Sequence, residues 1–321
     1  MEYTDVQLNY EYPVHITNLE PGETYYIRAY VRVYGEGSIQ VLYYANNTVS
    51  VEMPTAQSAG DLNGEFTINE NGGKVKFSKG NLQYNITTQE WSFMDYQYAV
   101  DPTTSTNVGT NYANYNIVTH FGWGTSGYAH RPSCYQPYST SSNAAYYYAY
   151  NNMTLNLYDS DGTADWGYNA ITNGGNVENS GWRTLTKDEW RYLLYTRHTD
   201  SGKHFVYATV DGTGGFILLP DDWDLSTYTL NTTLFDNWST YTWISISASD
   251  WADILEPNGA VFLPNGGYRS GTSVTNDGYA FRYWTSSNDA QYYAYYMYSG
   301  GFQSNSKTSG CCVRLVKDVV E

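Results

Sequence analysis

The run from Tyr283 to Val316, YWTSSNDAQYYAYYMYSGGFQSNSKTSGCCVRLV, decides how this chain is read. It opens as a polar, tyrosine-laden strand pattern and closes as an ordinary strand, Val313-Arg314-Leu315-Val316. Between them lies a string without periodicity: Ser304, Asn305, Ser306, Lys307, Thr308, Ser309, Gly310, Cys311, Cys312. The surrounding sequence has the same texture. GAVFLPNGGYRS (259–270), YAFRYWTSS (279–287), YYAYYMYS (292–299) and CCVRLVKD (311–318) are four strand-like pieces, each bounded by Gly, Ser or Asn.

Composition narrows the classes. The chain has 321 residues and a net charge of −16, with only 16 Lys plus Arg. A protein that neutralises phosphates needs a basic face, so nucleic acid is not an expected partner. No apolar run approaches the roughly 20 residues that span a bilayer. The first residues, Met-Glu-Tyr-Thr-Asp, carry no basic and apolar leader, so an export signal would lie outside this chain. Tyrosine is the outlier, with 36 Tyr against 10 Phe and 10 Trp. A buried Tyr must place its hydroxyl, so this bias suits half-exposed rings on a binding surface. It also suits pleated, half-buried sheet without any ligand. The three cysteines, Cys134, Cys311 and Cys312, make no disulfide framework. Adjacent cysteines bridge only in a strained ring. Cys311 and Cys312 are therefore expected to be reduced, or one of them to reach Cys134. No CxxC or His-x-His spacing suggests zinc.

Residues 1–57 read as a separate β segment. In ITNLEPGETYYIRAYVRV (16–33), Tyr25, Ile27, Ala29, Val31 and Val33 alternate with Tyr26, Arg28, Tyr30 and Arg32, the pattern of one half-buried strand. SIQVLYYA and TVSVEMP add a strand pair. Leu19, Pro21, Gly22 and Tyr25 resemble the tyrosine corner of fibronectin type III and immunoglobulin-like sandwiches. Too few strands are present for a whole sandwich, so the segment is either part of such a module or an unrelated β-hairpin appendage. Residues 58–63 read as a linker, and 64–321 as the main domain.

Within the main domain, Asn71-Gly72-Gly73 marks a hairpin between Phe66–Ile68 and Val75–Phe77, and NLQYN with EWSFMD marks another. Residues 101–179 are mostly Asn, Gly, Ser, Thr and Tyr, a long stretch without periodicity. One segment is plainly helical. Thr186 and Glu189 make a capping box, and Trp190, Leu193 and Leu194 share a face, which predicts a helix over 187–196. A weaker helix follows Ser247 or Ser249.

In chain order, GWGTSGY (122–128), DWGYNAITNGG (165–175), GWRTLTKDEWRYL (181–193), ILLPDDW (217–223), SASDW (247–251), GAVFLPNGGYR (259–269), YWTSS (283–287), AYYMY (294–298) and CVRLV (312–316) resemble a family of Bacteroidales surface proteins. These are variable proteins of diversity-generating retroelements, found on cells or phage. The resemblance covers roughly residues 64–318 and implies an α+β fold. The expected form is a C-type lectin-like domain of the formylglycine-generating-enzyme branch, with few helices, short antiparallel strands and long loops. It also implies that fixed positions keep the frame while scattered C-terminal positions vary. Trp284, Tyr295, Met297, Val313 and Leu315 would be frame residues. The variable, ligand-binding candidates are Thr275, Asp277, Phe281, Arg282, Ser287, Asn288, Asp289, Gln291, Tyr292, Ser299, Gln303, Asn305, Lys307, Ser309 and Cys311. Read as residues alone, the same set is also compatible with ordinary exposed loop.

Other sites are weaker. Asp159, Asp161 and Asp165 surround Gly162 in a pattern that suits calcium, but Asx residues with glycine also simply make turns. The enzymes of the resembling branch bind copper with a cysteine pair, which does not map onto Cys311 and Cys312. Asp221 and Asp222 read as a cap or turn, and the five histidines share no ligand spacing. The expected function is therefore a non-enzymatic, exported surface or adhesin-like protein without cofactor. It would bind an unknown protein or glycan ligand on another cell, a host or a phage. The alternatives are a fixed-specificity carbohydrate binder, a structural pilus or envelope subunit, and, more remotely, a formylglycine-generating-like oxidase.

Overall fold

The computed structural model describes residues 24–27, 30–34, 40–44, 48–52, 60–100, 117–127, 136–143, 147–158, 161–230, 236, 243–275, 281–298 and 301–320. The chain divides into two compact units, Met1–Gln57 and Ser58–Glu321. In the first, β1 (Thr24–Ile27) pairs antiparallel with β4 (Val49–Glu52), and β2 (Tyr30–Tyr34) with β3 (Gln40–Tyr44). The alternation through residues 24–33 thus serves two strands in two sheets rather than one long strand. Of the proposed tyrosine corner, Leu19, Pro21 and Gly22 lie outside the described residues.

In the second unit the elements follow as β5 (Phe66–Thr67), β6 (Lys74–Phe77), β7 (Leu82–Asn85), β8 (Glu90–Phe93), β9 (Ile117–Val118), β10 (Trp182–Thr184), α1 (Lys187–Tyr195), β11 (Phe205–Val210), β12 (Thr213–Leu218), β13 (Ile244–Ile246), α2 (Ala248–Asp250), β14 (Val261–Pro264), β15 (Tyr268–Ser270), β16 (Ser273–Thr275), β17 (Arg282–Asn288), β18 (Tyr293–Tyr298), β19 (Gly301–Ser306) and β20 (Leu315–Asp318). They form small sheets in the orders β10-β20-β6-β5, β8-β7-β9, β13-β11-β12-β14, β15-β16 and β17-β18-β19.

This architecture corrects the α+β expectation. The described chain is nearly all β, in several small sheets, with one short helix of any length, so an α+β C-type lectin-like fold is not what these residues build. The physical reason lies in side-chain periodicity. Only residues 187–195 sustain a 3.6-residue apolar stripe behind a full capping box. The Tyr-, Thr- and Val-rich pieces elsewhere alternate or run continuously apolar, which suits strands.

The helix forms where the sequence specifies it. Thr186 Oγ1 accepts from Glu189 N at 3.1 Å, and Glu189 Oε2 accepts from Thr186 N at 2.7 Å. These two bonds satisfy donors that a helix N-terminus otherwise leaves open. Trp190, Leu193 and Leu194 are buried on its inner face. The second helical stretch begins at Ser247, whose side chain accepts from Asp250 N, and continues as a wider turn over Trp251–Leu255.

The β11–β12–β14 sheet is covered on both sides. Phe205, Tyr207, Phe216 and Leu218 face one core cluster, with Phe66, Phe77 and Trp190. Val206, Ala208, Val210 and Ile217 face another, with Trp223, Trp251 and Phe262. Burial of both faces explains why FVYATV and GFILL read as nearly continuous apolar runs. A third cluster gathers Trp91, Trp123, Trp166, Trp182 and Trp284 around Phe121 and Val313. Two of these indoles tie the C-terminal strands to residues 121–123. Trp284 Nε1 donates to Phe121 O at 2.6 Å, and Trp123 Nε1 donates to Thr285 O at 2.9 Å. Among the described residues no helix is long and apolar enough to cross a membrane.

Trp284→Phe keeps a ring in the cluster but removes the indole donor and some volume. It is expected to lower unfolding stability by about 2 kcal/mol in denaturant titrations. Tyr292→Ala, on the exposed side of the same hairpin, is expected to change stability by no more than about 0.5 kcal/mol.

Candidate functional site

The C-terminal sheet carries the candidate site. β17 and β18 pair Arg282 with Tyr298, Tyr283 with Met297 and Trp284 with Tyr296, and β18 pairs with β19 from Tyr293–Ser306 to Tyr298–Gly301. The period of two then fixes the faces. Arg282, Tyr298, Trp284, Tyr296, Gln303 and Asn305 share one side. Tyr283, Met297 and Phe302 share the other, packed with Trp190 and Phe216. The β17–β18 register slips between Trp284 and Asn288. Over that bulge, Ser286 N donates to Leu185 O and Leu157 N to Ser286 O, both at 2.9 Å, so the irregular backbone is held by neighbouring segments.

Two surface groups stand on this sheet. In the first, the Arg282 guanidinium carbon lies 3.8 Å from the centre of the Tyr268 ring and 5.4 Å from that of Tyr296. The Tyr296 hydroxyl donates to Gln303 Oε1 at 3.0 Å, and Gln303 Nε2 donates to the Tyr298 hydroxyl at 3.1 Å. Burial, first among its causes, raises the Tyr296 pKa, so the phenol stays neutral. Thr275 joins this group from β16, where it pairs with Tyr268.

The second group surrounds the turn between β17 and β18. Tyr292 and Tyr293 are 44% and 46% exposed. The Tyr150 and Tyr292 hydroxyls lie 3.3 Å apart, with their rings edge to face. Asn288 N donates to Asn156 Oδ1 at 3.0 Å, and Asn288 Nδ2 to Asn152 O at 3.2 Å. Tyr295 lies under the Lys187 ammonium, 3.8 Å from its ring centre, and hydrogen-bonds Asp289, which raises its pKa.

The predicted positions divide clearly. Thr275, Asp289, Tyr292 and Gln303 are exposed; Arg282, Ser287, Asn288, Gln291, Asn305 and Ser309 are half-buried. Asp277 and Ser299 lie outside the described residues. Three members of the expected variable set are corrected, because Phe281, Lys307 and Cys311 are buried. Phe281 packs on Phe216, with ring centres 4.4 Å apart. Cys311 sits in the tryptophan cluster. Lys307 places its ammonium 4.8 Å from the Trp123 ring centre and donates to Ala149 O at 3.3 Å. Ser287 is partly committed to structure, since its Oγ accepts from Lys187 N at the start of α1. Among the expected frame residues, Trp284, Met297, Val313 and Leu315 are buried, whereas Tyr295 is half-exposed.

Sequence reasoning missed Tyr268, Tyr298 and Tyr150 as members of these groups, and Tyr296 as the buried ring beneath the first. Tyr296 and Tyr298, two apart on one strand, carried a usable signal. Tyr268 and Tyr150 arrive by tertiary contact and carried none.

The other candidates are occupied by structural roles. Asp161 is exposed and accepts from Thr163 N and Oγ1. Asp165 is fully buried and accepts from Gly167 N, Thr184 N and Thr184 Oγ1. Burial raises its pKa to about 6 against those hydrogen bonds. Asp159 lies outside the described residues, and among the described residues no cluster of metal-ligating side chains forms. Asp221 accepts from Thr67 and Arg197. Cys311 and Cys312 are free, buried thiols, and burial pushes Cys311 far up and Cys312 up to about 12. Neither is a thiolate at neutral pH, the form that metal binding and nucleophilic attack require. His120 Nε2 lies 2.7 Å from Gly266 O and 3.6 Å from Cys312 Sγ, so the ring is engaged by a backbone carbonyl. A polar cleft of about 310 Å³ between Asn63, Asp222, Asp224 and Asn258 shares no residue with either surface group.

Comparison of the chain with family models, curated proteins and solved structures finds no match.

Two outcomes follow from the buried groups. Desolvation lowers the Lys307 pKa from 10.5 to about 8. Above pH 8 the unfolded chain holds a proton that the folded chain has released, so stability rises with pH in this window. Between pH 8 and about 9.5, wild type is expected to gain about 1.5 kcal/mol relative to Lys307→Met, measured by denaturant titration at each pH. Cys311 and Cys312 are expected to resist a water-soluble thiol reagent in the folded protein and to react once it is unfolded.

Proposed function

We propose that this chain is an exported, non-enzymatic ligand-binding protein, and that the β17–β19 sheet with the loops beside it is its recognition face. The observation that carries this reading is the division of labour along single strands. Buried Trp284, Met297 and Tyr296 lock the backbone, while Tyr292, Tyr293, Gln303 and Thr275 stand outside it. A face of this kind can exchange its outer side chains at little cost in stability.

The outer residues suit recognition. Tyrosine supplies rigid amphipathic area at low entropic cost, and Ser, Asn and Gln supply adaptable hydrogen bonds, as in antibody paratopes. The mechanism is shape and polar complementarity, with no covalent step. The neutral, buried thiols at 311 and 312 support a structural reading of the cysteines rather than oxidase chemistry. The strongly negative chain charge supports a partner other than nucleic acid. Diversification of the face by a retroelement belongs to the same proposal and accounts for the irregular mixture of side chains from 287 to 309.

The test is capture of ligands by the immobilised chain from glycan arrays and from displayed surface proteins of neighbouring cells. The combination Tyr292→Ala, Tyr293→Ala and Gln303→Ala is expected to reduce capture at least about tenfold, as loss of tyrosine hot spots does. Its circular dichroism and melting temperature should match wild type. Undiminished capture by this folded variant would contradict the proposed face.

A further inference from the structure

Arg282 is half-buried, yet none of its guanidinium hydrogens meets a protein acceptor among the described residues, and no carboxylate pairs with it there. Among the described residues, the rings it lies over are those of Tyr268 and Tyr296. Such an arrangement is unusual in a chain with twice as many acidic as basic residues, 32 against 16. The Tyr268 ring holds the guanidinium in place while its N–H groups meet no acceptor among the described residues, an arrangement that suits bidentate carboxylate binding.

The neighbouring groups add a direction. Tyr296 donates its hydroxyl hydrogen to Gln303 Oε1, and Gln303 donates to the Tyr298 oxygen. The Tyr298 hydroxyl therefore receives a bond within the chain and keeps its own hydrogen to give. Tyr298 is the register partner of Arg282 across β17–β18, on the same face. Cross-strand partners stand about 5 Å apart at Cβ. The two groups without an acceptor among the described residues are both donors, and one is cationic, so their complement is an anionic acceptor.

We propose, resting on the recognition face proposed above, that Arg282 and Tyr298 bind a single carboxylate carried by an extended segment of a protein partner. Two observations favour a peptide over an acidic sugar. Arg282 covers one face of the Tyr268 ring and the Tyr296 ring is buried, which leaves little aromatic surface beside Arg282 for stacking a pyranose. The adjacent strand β19 is the edge of its sheet, with Gln303 and Ser304 exposed, and an edge offers main-chain pairing to an extended segment. The net charge of −16 opposes polyanions, so the matching segment carries one acid among uncharged residues.

The test follows the Arg282 Nε–H resonance and the backbone amides of Gln303 and Ser304 in the full chain. The Arg282 signal is assigned by its loss in Arg282→Lys. Three probes are titrated: a blocked Ser/Thr pentapeptide with a central glutamate, the same peptide with glutamine, and glucuronate. The glutamate peptide should shift Arg282 and both amides saturably, with affinity at least tenfold above that of the glutamine peptide, and Arg282→Gln should remove the difference. Equal binding of the two peptides, or an Arg282 response no larger than that of exposed Arg191, overturns the proposal. Tighter binding of glucuronate, without the β19 amides, overturns the peptide partner and assigns the donors to an acidic glycan. If Arg282 fails these tests while the Tyr292, Tyr293 and Gln303 substitutions still abolish capture, only the carboxylate inference falls. If those substitutions leave capture intact, the recognition face itself falls.

Discussion

The backbone of residues 310–316 is the constraint on which the second unit depends. Gly310 exchanges hydrogen bonds with Arg269, and Cys311 exchanges them with Phe121. Cys312 donates to Arg282 O and accepts from Trp284 N. Val313 O accepts from Leu82 N, and Leu315 O from Ser78 N. Arg314 reaches Asn81 and Gln97 with its side chain. A single short segment thus satisfies backbone groups from several otherwise separate small sheets, each of which would be marginal alone. The packing around it is tight. A Cβ on Gly310 would lie 2.7 Å from Arg269 Nε and 3.0 Å from His120 O.

This spine explains how an irregular set of side chains can sit one step from a core strand. Residues 301–306 pair with β18 on one side, and the following turn brings the chain straight into the spine. The Lys307 backbone closes that turn, accepting from Trp123 N and donating to Tyr292 O. Backbone bonds and a few buried rings therefore define the face, while the outer side chains contribute little to folding. On the proposed reading, recognition and stability draw on different atoms of the same strands.

Local features of the fold were legible in the sequence. The capping box at Thr186, the hairpin at Asn71-Gly72-Gly73 and the Leu82–Phe93 hairpin each depend on neighbours in sequence, and each is present. The overall class was not legible. The ordered pieces that resemble a lectin-like family mark strands and turns, but they do not specify how sheets pair across long separations. β19, GFQSNS, has no strand signature and is a strand because β18 offers it a register. Of the site, Tyr292 and Gln303 were named through the family resemblance, and both are exposed. The burial of Phe281, Lys307 and Cys311 was not legible, because Phe216, Trp123 and the tryptophan cluster reach them only in three dimensions.

The most direct measurement of the central claim is deep sequencing of the codons for residues 270–316 across a population of the source organism. The account predicts substitutions concentrated at Thr275, Asp289, Tyr292, Gln303 and their exposed neighbours, with Trp284, Tyr296, Met297 and Val313 fixed. A uniform sequence, or substitutions falling as often on Trp284 and Val313 as on Tyr292 and Gln303, would contradict a replaceable recognition face on a rigid frame.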